Sequence, residues 1–259
     1  MFKGVSLEAE DLFLLESFQI GYLPGLVPER ELAAVLRGYP AIRRFLVKKY
    51  PSIASFIERA LTRYEPADNQ QELSDCVDKL VWTIADLLVY HKCPEAYDSL
   101  EFHNWNFKQV TSITSLENKI IIDGGAGTGR VTLEAARSAR QVFAVEPVAR
   151  LRQFIREKAS EARLRNVFVI NGFLHSIPLP DGFADVLITS HALGWQLEKE
   201  LREFERVVKR GGFIIHCPGT AEVAAEDGQH SVLISSRWKY QSSRCREADG
   251  WKRKYWKQL

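Results

Sequence analysis

The 259-residue chain is 46% hydrophobic and 26% charged, values typical of a globular protein with a full core, and its formal net charge is +2. No run of about 18 apolar residues could span a bilayer, and acidic residues near the start exclude a signal peptide. Four scattered cysteines form neither a C-x-x-C pair nor a zinc-type spacing. We therefore predict a cytoplasmic protein with reduced cysteines, no membrane segment and no metal site.

The first part of the chain is predicted to be helical. Prolines stand at the start of three segments whose apolar residues recur at helical spacing, and a longer segment follows them. The four predicted helices span residues 28–38, 40–50, 51–64 and 69–92. We assign residues 1–115 to a helical N-terminal extension and residues 116–259 to a second domain.

After Lys119 the pattern changes to short apolar runs that alternate with helical stretches. The runs are IIID, QVFAVE, NVFVING, ADVLITS and GFIIHCP. Near-continuous Val, Ile and Phe runs of this length are typical of strands buried on both faces, so they predict an α/β fold with a doubly wound, mostly parallel sheet. The pair Gly211-Gly212 is predicted to end a helix and form the turn before the fifth strand.

The end of the chain has a different composition. Residues 236–259 hold eight Lys/Arg and two Asp/Glu, interleaved with Trp and Tyr. Asp249-Gly250 lies between two aromatic-rich runs and predicts a hairpin, so the sheet is expected to end in an antiparallel pair. Alternating cations and aromatic rings suit either contact with a nucleic acid or a charged edge hairpin packed on its neighbours.

The most informative stretch is the turn between the first predicted strand and the next helix, residues 123–129, which we call the glycine turn. Its residues Asp123, Gly125, Gly127 and Gly129 follow the pattern D-x-G-x-G-x-G. Glycines there allow positive φ and let a ligand lie against bare backbone. Glu146 ends the next predicted strand, so two carboxylates stand at strand ends, where ligands bind in open sheets.

Spacing separates three kinds of nucleotide ligand. A phosphate loop requires a lysine and a hydroxyl residue after its last glycine, but Arg130 and Val131 stand there. A dinucleotide fingerprint requires a glycine at position 130, so a nicotinamide-dependent oxidoreductase is disfavoured and stays an alternative. Asp123 would repel a diphosphate, whereas it would accept a hydrogen bond from an ammonium group. A ligand with a ribose and an adenine but no pyrophosphate fits best.

On these residues the chain resembles the class I S-adenosylmethionine-dependent methyltransferases over about residues 115–259. The resemblance implies a seven-stranded Rossmann-like sheet, with the N-terminal helices as a cap. It also implies that the glycine turn holds the methionine part of the cofactor S-adenosylmethionine, with Gly129 completing the turn at the helix start. Glu146 would accept hydrogen bonds from both ribose hydroxyls.

Further site residues follow from the same resemblance. Many members of the family place an acid after the third strand to accept from the adenine amino group, but Phe173 stands there. Backbone groups near Phe173 and Leu174, with apolar contact, are therefore expected to bind adenine. Ser190, His191 and Trp195 follow the fourth strand, where the acceptor pocket of the family begins, with Ser190 on the cofactor side. His191 is predicted either to act as a general base or to line the pocket.

Only indirect sequence features bear on the identity of the methyl acceptor. Trp105 lies in an aromatic stretch before the sheet and is predicted either to line the acceptor pocket or to pack in the core. No N-P-P-[YF] signature of nucleic-acid amino methylation is present, so a small or medium-sized molecule is the favoured acceptor. RNA methylation through the C-terminal hairpin, the oxidoreductase, and a binding protein without turnover are the alternatives.

Overall fold

The computed structural model describes residues 2, 4–217, 228–247 and 250–259. The chain divides into two compact units, Met1–Tyr97 and Asp98–Leu259. Among the described residues, no helix combines the length and the apolar character that crossing a bilayer requires.

The N-terminal unit is helical. Its α-helices are α1 (Ser17–Ile20), α2 (Leu23–Leu26), α3 (Glu29–Gly38), α4 (Pro40–Lys49), α5 (Ala54–Arg63), α6 (Gln70–Thr83), α7 (Ala85–Lys92) and, at its end, α8 (Pro94–Asp98), with 3-10 helices at Ala9–Leu14 and Pro51–Ile53. The three helices predicted from their prolines are confirmed. Pro28 is the residue before α3, Pro40 is the first residue of α4, and Pro51 begins the 3-10 turn before α5.

The longest predicted helix, residues 69–92, is interrupted. It divides into α6 and α7 at Ile84, whose φ of −111° and ψ of 24° are not helical. Leu80, Ile84 and Leu88 are all buried, so the apolar side continues through the break. The periodicity therefore predicted one helix, because neither glycine nor proline marks the interruption.

The second unit is built on one seven-stranded sheet. Its elements are α9 (Lys108–Thr111), β1 (Ile120–Gly124), α10 (Arg130–Ala136), β2 (Gln141–Val145), α11 (Ala149–Glu161), β3 (Val167–Ile170), β4 (Ala184–Thr189), α12 (Leu197–Val207), β5 (Val208–His216), α13 (Gly228–Ile234), β6 (Gln241–Glu247) and β7 (Gly250–Gln258), after a 3-10 turn at Glu101–His103. The strand order is β3-β2-β1-β4-β5-β7-β6. The first five strands are parallel, and β7 is antiparallel to both of its neighbours.

The sheet is buried on both faces, which explains the continuous apolar runs. All five residues of β1 are buried. Ile122 belongs to the core cluster on the side of Phe204 in α12, and Ile121 belongs to the cluster on the side of Val131 in α10. The predicted doubly wound, mostly parallel α/β fold is confirmed, as is the antiparallel end of the sheet. Of the predicted turn pair, Gly250 begins β7 and Asp249 lies outside the described residues.

The prediction for Gly211-Gly212 is wrong, because the pair lies inside β5. Helix α12 ends earlier, at Val207. Gly211 has a φ of 77°, and the pairing of β5 with β4 shifts register between Val208 and Phe213. A Cβ atom on Gly212 would lie 2.6 Å from Val208 Cγ1 and 2.8 Å from the Asp185 carbonyl oxygen. The glycines thus allow an irregularity within β5 and do not end helix α12.

Candidate active site

The glycine turn joins β1 to α10 in a conformation that requires its glycines. The φ angles of Gly125, Gly127 and Gly129 are 67°, 54° and 84°. A Cβ atom on Gly125 would lie 2.5 Å from the Cβ atom of Ala192, whereas one on Gly127 would meet nothing closer than 4.0 Å. The space above Gly127 is therefore open, so a ligand can lie there against bare backbone.

Backbone amides fasten the turn to the end of β2. The N–H groups of Gly125 and Ala126 donate to the Val145 carbonyl oxygen at 2.9 and 3.1 Å. The following amide, that of Gly127, donates to Glu146 Oε2 at 2.9 Å. The turn is thus held in its shape before any ligand binds.

Asp123 is a buried carboxylate at the end of β1. Its side chain is almost fully covered, and its Oδ2 atom accepts a hydrogen bond from Thr132 Oγ1 at 2.5 Å. Burial raises the pKa of Asp123 to about 7, although the Thr132 hydrogen bonds oppose the rise. The carboxyl group is therefore poised between its charged and neutral forms near neutral pH.

Glu146 is the matching carboxylate after β2. Its Oε1 atom accepts from the Val148 amide at 2.9 Å, and its Oε2 atom accepts from Gly127. Burial raises the pKa of Glu146 to about 7; these amides and Arg152 oppose the rise, and the charge of Asp123 adds to it. Each oxygen keeps a further lone pair for a ligand donor.

The end of β4 brings Ser190 and His191 beside the glycine turn. Ala192 lies against Gly125, so its neighbour His191 stands next to the turn. The φ of His191 is 56°, a left-handed conformation that is uncommon for a side-chain-bearing residue. Its Nδ1 atom lies 3.0 Å from Ser190 Oγ, and its Nε2 atom lies 3.3 Å from Lys252 Nζ of β7.

The two residues predicted to bind adenine differ in position. The Phe173 amide and carbonyl pair with Ser176 at 3.3 and 3.0 Å, so the loop itself uses these backbone groups. The Leu174 side chain reaches the glycine turn, with its Cδ2 atom 2.9 Å from a Cβ atom built on Gly124. Apolar contact from Leu174 is thus available at the turn, whereas the backbone donor expected at Phe173 is occupied.

The two predicted pocket tryptophans lie in different surroundings. Trp105 is 4% exposed in a core cluster, with the guanidinium of Arg130 5.3 Å from its ring centre. This is the core-packing alternative, so we do not carry Trp105 forward as an acceptor contact. Trp195 is 64% exposed and lines an open groove of about 680 Å³. The other residues of this groove are Leu193, Gly194, Leu197, Gly228, Gln229 and Val232.

The basic hairpin directs two of its lysines inward. Lys252 and Lys254 are 7% and 9% exposed. Lys254 Nζ donates to the Gln109 carbonyl, Gln109 Oε1 and Ser112 Oγ, each at 3.1 Å. Lys252 and Lys254 thus point inward, which fits the alternative of a packed edge, whereas Arg244 and Arg246 of β6 are exposed.

Three residues of the site were not identified from the sequence. Thr132 contacts Asp123, Ala192 allows the close approach to Gly125, and Lys252 contacts His191. No spacing rule connects Asp123 with Thr132. The two-residue alternation of Lys252 and Lys254 on a predicted strand was an available sign that both point to one face. Within the residues that the structure describes, no three His, Cys, Asp or Glu side chains form a group suited to a metal ion.

Comparison with known sequences indicates one family, the methyltransferases. Residues 122–216 match the model of a family described as a methyltransferase domain. An uncharacterised methyltransferase of Geobacillus sp. (strain WCH70) is 21% identical over 154 residues, which cover 54% of this chain and 68% of that protein. One from Bacillus velezensis is 31% identical over 106 residues, which cover 41% of this chain and 46% of that protein. The chain thus spans about half to two thirds of these relatives.

A solved structure supports the same fold. The crystal structure of a SAM-dependent methyltransferase from Aquifex aeolicus superposes with a TM-score of 0.52 at 18% identity. The alignment covers 63% of this chain and 96% of that one. At this identity the likeness concerns the fold alone.

Proposed function

Because the chain belongs to the class I S-adenosylmethionine-dependent methyltransferase family, we propose that it transfers a methyl group from this cofactor to a small or medium-sized acceptor. The observation that carries the proposal is the open space above Gly127, on a turn that begins at the buried Asp123 and donates a backbone amide to the buried Glu146. The donors to these two carboxyl groups are the Thr132 hydroxyl and amide and the amides of Gly127 and Val148, so none of these contacts is an ion pair. Such groups fit a ligand that brings an ammonium group and hydroxyl donors.

Cofactor binding is assigned to both sides of the glycine turn. Glu146 would accept from the two ribose hydroxyls with the lone pairs that its backbone bonds leave free. Gly125, Gly127 and Gly129 would leave the backbone bare beneath the amino-acid part, and Asp123 would accept from its ammonium group. The Ser190 hydroxyl, the apolar side chain of Leu174 and the neighbouring Phe173 ring would border the adenosyl part.

Two further atoms at the turn fit the same ligand. Thr128 Oγ1 and Arg130 Nη1 are buried without a hydrogen-bond partner among the described residues. Both can donate to an anionic group of a ligand, such as the carboxylate of an amino acid. The preference for an amino-acid-bearing nucleoside over a diphosphate rests on Asp123, which would repel a diphosphate.

The residues of the chain have mainly a positioning role in the transfer. The cofactor supplies an electrophilic methyl group on a sulfonium sulfur. The groove at Trp195 would hold an apolar part of the acceptor, and His191 would stand between that groove and the glycine turn. Alignment of the two reactants and exclusion of water supply most of the rate enhancement in such a site.

Ligand-dependent thermal shifts test this assignment against the oxidoreductase. Excess S-adenosylhomocysteine is expected to raise the melting temperature, because a ligand at 100 times its dissociation constant stabilises the folded state by about 2.7 kcal/mol. NAD at the same concentration is expected to give no shift. A shift with NAD alone would contradict the proposal. Transfer of labelled methyl groups to a cell-extract fraction would then separate an enzyme from a binding protein.

The raised pKa values of the two carboxyl groups predict the pH dependence of binding. The ionised carboxylates accept hydrogen bonds best, so affinity for S-adenosylhomocysteine should rise through pH 7, about tenfold from pH 6 to pH 8 for one group. The stability of the ligand-free protein should show the opposite trend. A folded pKa above the unfolded value of about 4 makes stability fall as the pH rises from about 4 to 7. Calorimetric affinities that are constant or decrease over pH 6–8 would contradict the assignment.

A further inference from the structure

A lysine from the end of the chain contacts the imidazole at the acceptor side. Lys252 Nζ of β7 lies 3.3 Å from His191 Nε2, and the Lys252 side chain is buried. The other ring nitrogen, Nδ1, lies 3.0 Å from Ser190 Oγ. The Phe102 ring meets the imidazole edge-on, with 5.0 Å between the ring centres. Contacts on three sides therefore fix the orientation of the ring.

The hydrogen-bonding capacity of the two groups decides which of them donates. A lysine ammonium carries three donors and no acceptor. Lys252 therefore donates and His191 Nε2 accepts. A neutral imidazole that accepts at Nε2 must carry its hydrogen at Nδ1, where it donates to Ser190 Oγ.

We propose that Lys252 is a positioning residue that holds His191 as the neutral, Nδ1-protonated tautomer, whose one in-plane lone pair, at Nε2, accepts from Lys252 and so does not deprotonate an acceptor. Together with the proposed function, this defines the acceptor class. The nucleophile is one from which His191 has no proton to remove, as in a carboxylate, a phenolate, a thiolate or a neutral amine. An aliphatic hydroxyl, which must lose its proton during the reaction, would find no base in His191.

The bonds that form and break in methyl transfer are consistent with this role of Lys252. A bond forms between the nucleophile and the methyl carbon, the methyl–sulfur bond breaks, and its electron pair goes to sulfur. No proton passes to His191 in the step. The uncommon backbone conformation of His191, with φ at 56°, fits a residue that its surroundings hold in one orientation.

Nitrogen chemical shifts of the histidine rings test the proposal in the protein alone. Protein labelled with ¹⁵N-histidine is measured by long-range ¹H–¹⁵N correlation at pH 8, and a His191→Gln variant assigns the His191 signals. The wild type should show the Nδ1–H tautomer. Lys252→Met should shift His191 to the Nε2–H tautomer that free imidazole side chains prefer, and Lys252→Arg should keep Nδ1–H. Unchanged His91 and His216 signals confirm that each variant is folded.

Two results would overturn the proposal. One is the Nε2–H tautomer in the wild type, and the other is the Nδ1–H tautomer in both the wild type and Lys252→Met. S-adenosylhomocysteine affinity is measured in parallel on the wild type. Loss of the predicted tautomer with normal cofactor affinity would refute only the role of Lys252, whereas the predicted tautomer without cofactor affinity would refute only the proposed function.

Discussion

Replacing Glu146 with alanine is expected to weaken S-adenosylhomocysteine binding by about 100-fold or more. Two hydrogen bonds to a charged acceptor contribute about 1.5–3 kcal/mol each, and each 1.4 kcal/mol corresponds to a factor of ten in affinity. Isothermal titration calorimetry at pH 8, where Glu146 is mostly ionised, measures the effect. An affinity equal to that of the wild type would refute the ribose assignment.

Two controls separate binding from folding at Glu146. Alanine leaves the Gly127 and Val148 amides without their acceptor, which is expected to destabilise the turn by about 1–3 kcal/mol. Glu146→Gln keeps the shape and one acceptor oxygen, so about a tenfold loss of affinity is expected with a smaller loss of stability. Glu157→Gln makes the same chemical change on the exposed face of α11 and should leave affinity unchanged.

Replacing Gly127 with leucine is expected to abolish measurable cofactor binding while the protein stays folded. The space above Gly127 is open in the ligand-free protein, so the side chain fits there but takes the place of the ligand. The left-handed φ of 54° costs about 1–2 kcal/mol for a residue with a Cβ atom. Thermal denaturation and calorimetric titration of the same sample measure the two effects.

Gly182→Leu is the matched control for this substitution. Gly182 has a similar φ of 58° and no atom near its Cβ position, but it lies in the exposed turn before β4. It should lose about as much stability as Gly127→Leu while retaining wild-type affinity. If both variants bind S-adenosylhomocysteine normally, the glycine turn does not hold the cofactor.

The sequence predicted the sheet well, because burial on both faces leaves a direct pattern in the chain. Strand β1 and the glycine turn illustrate this: a fully apolar run, an acid and alternate glycines permit few other structures. The break at Ile84 and the early start of β5 at Val208 were not predicted. Both depend on packing against neighbouring elements, and no local residue signals them.

The site residues likewise fall into those that local sequence indicates and those that depend on contacts between distant elements. Asp123 and Glu146 were chosen because Asp123 lies at the end of β1 and Glu146 directly follows β2, and adjacent parallel strands end at the same edge. The contact between His191 and Lys252 joins residues 61 positions apart and depends on how β7 pairs with β5. The adenine side stays a prediction, and the local pairing of Phe173 with Ser176 already uses the Phe173 backbone groups.

A crystal structure with S-adenosylhomocysteine tests the central claim most directly. The account predicts both ribose hydroxyls within hydrogen-bond distance of Glu146 and the amino-acid part above Gly127. An adenosyl group bound elsewhere, or a ligand that contacts neither Glu146 nor Gly127, would contradict it.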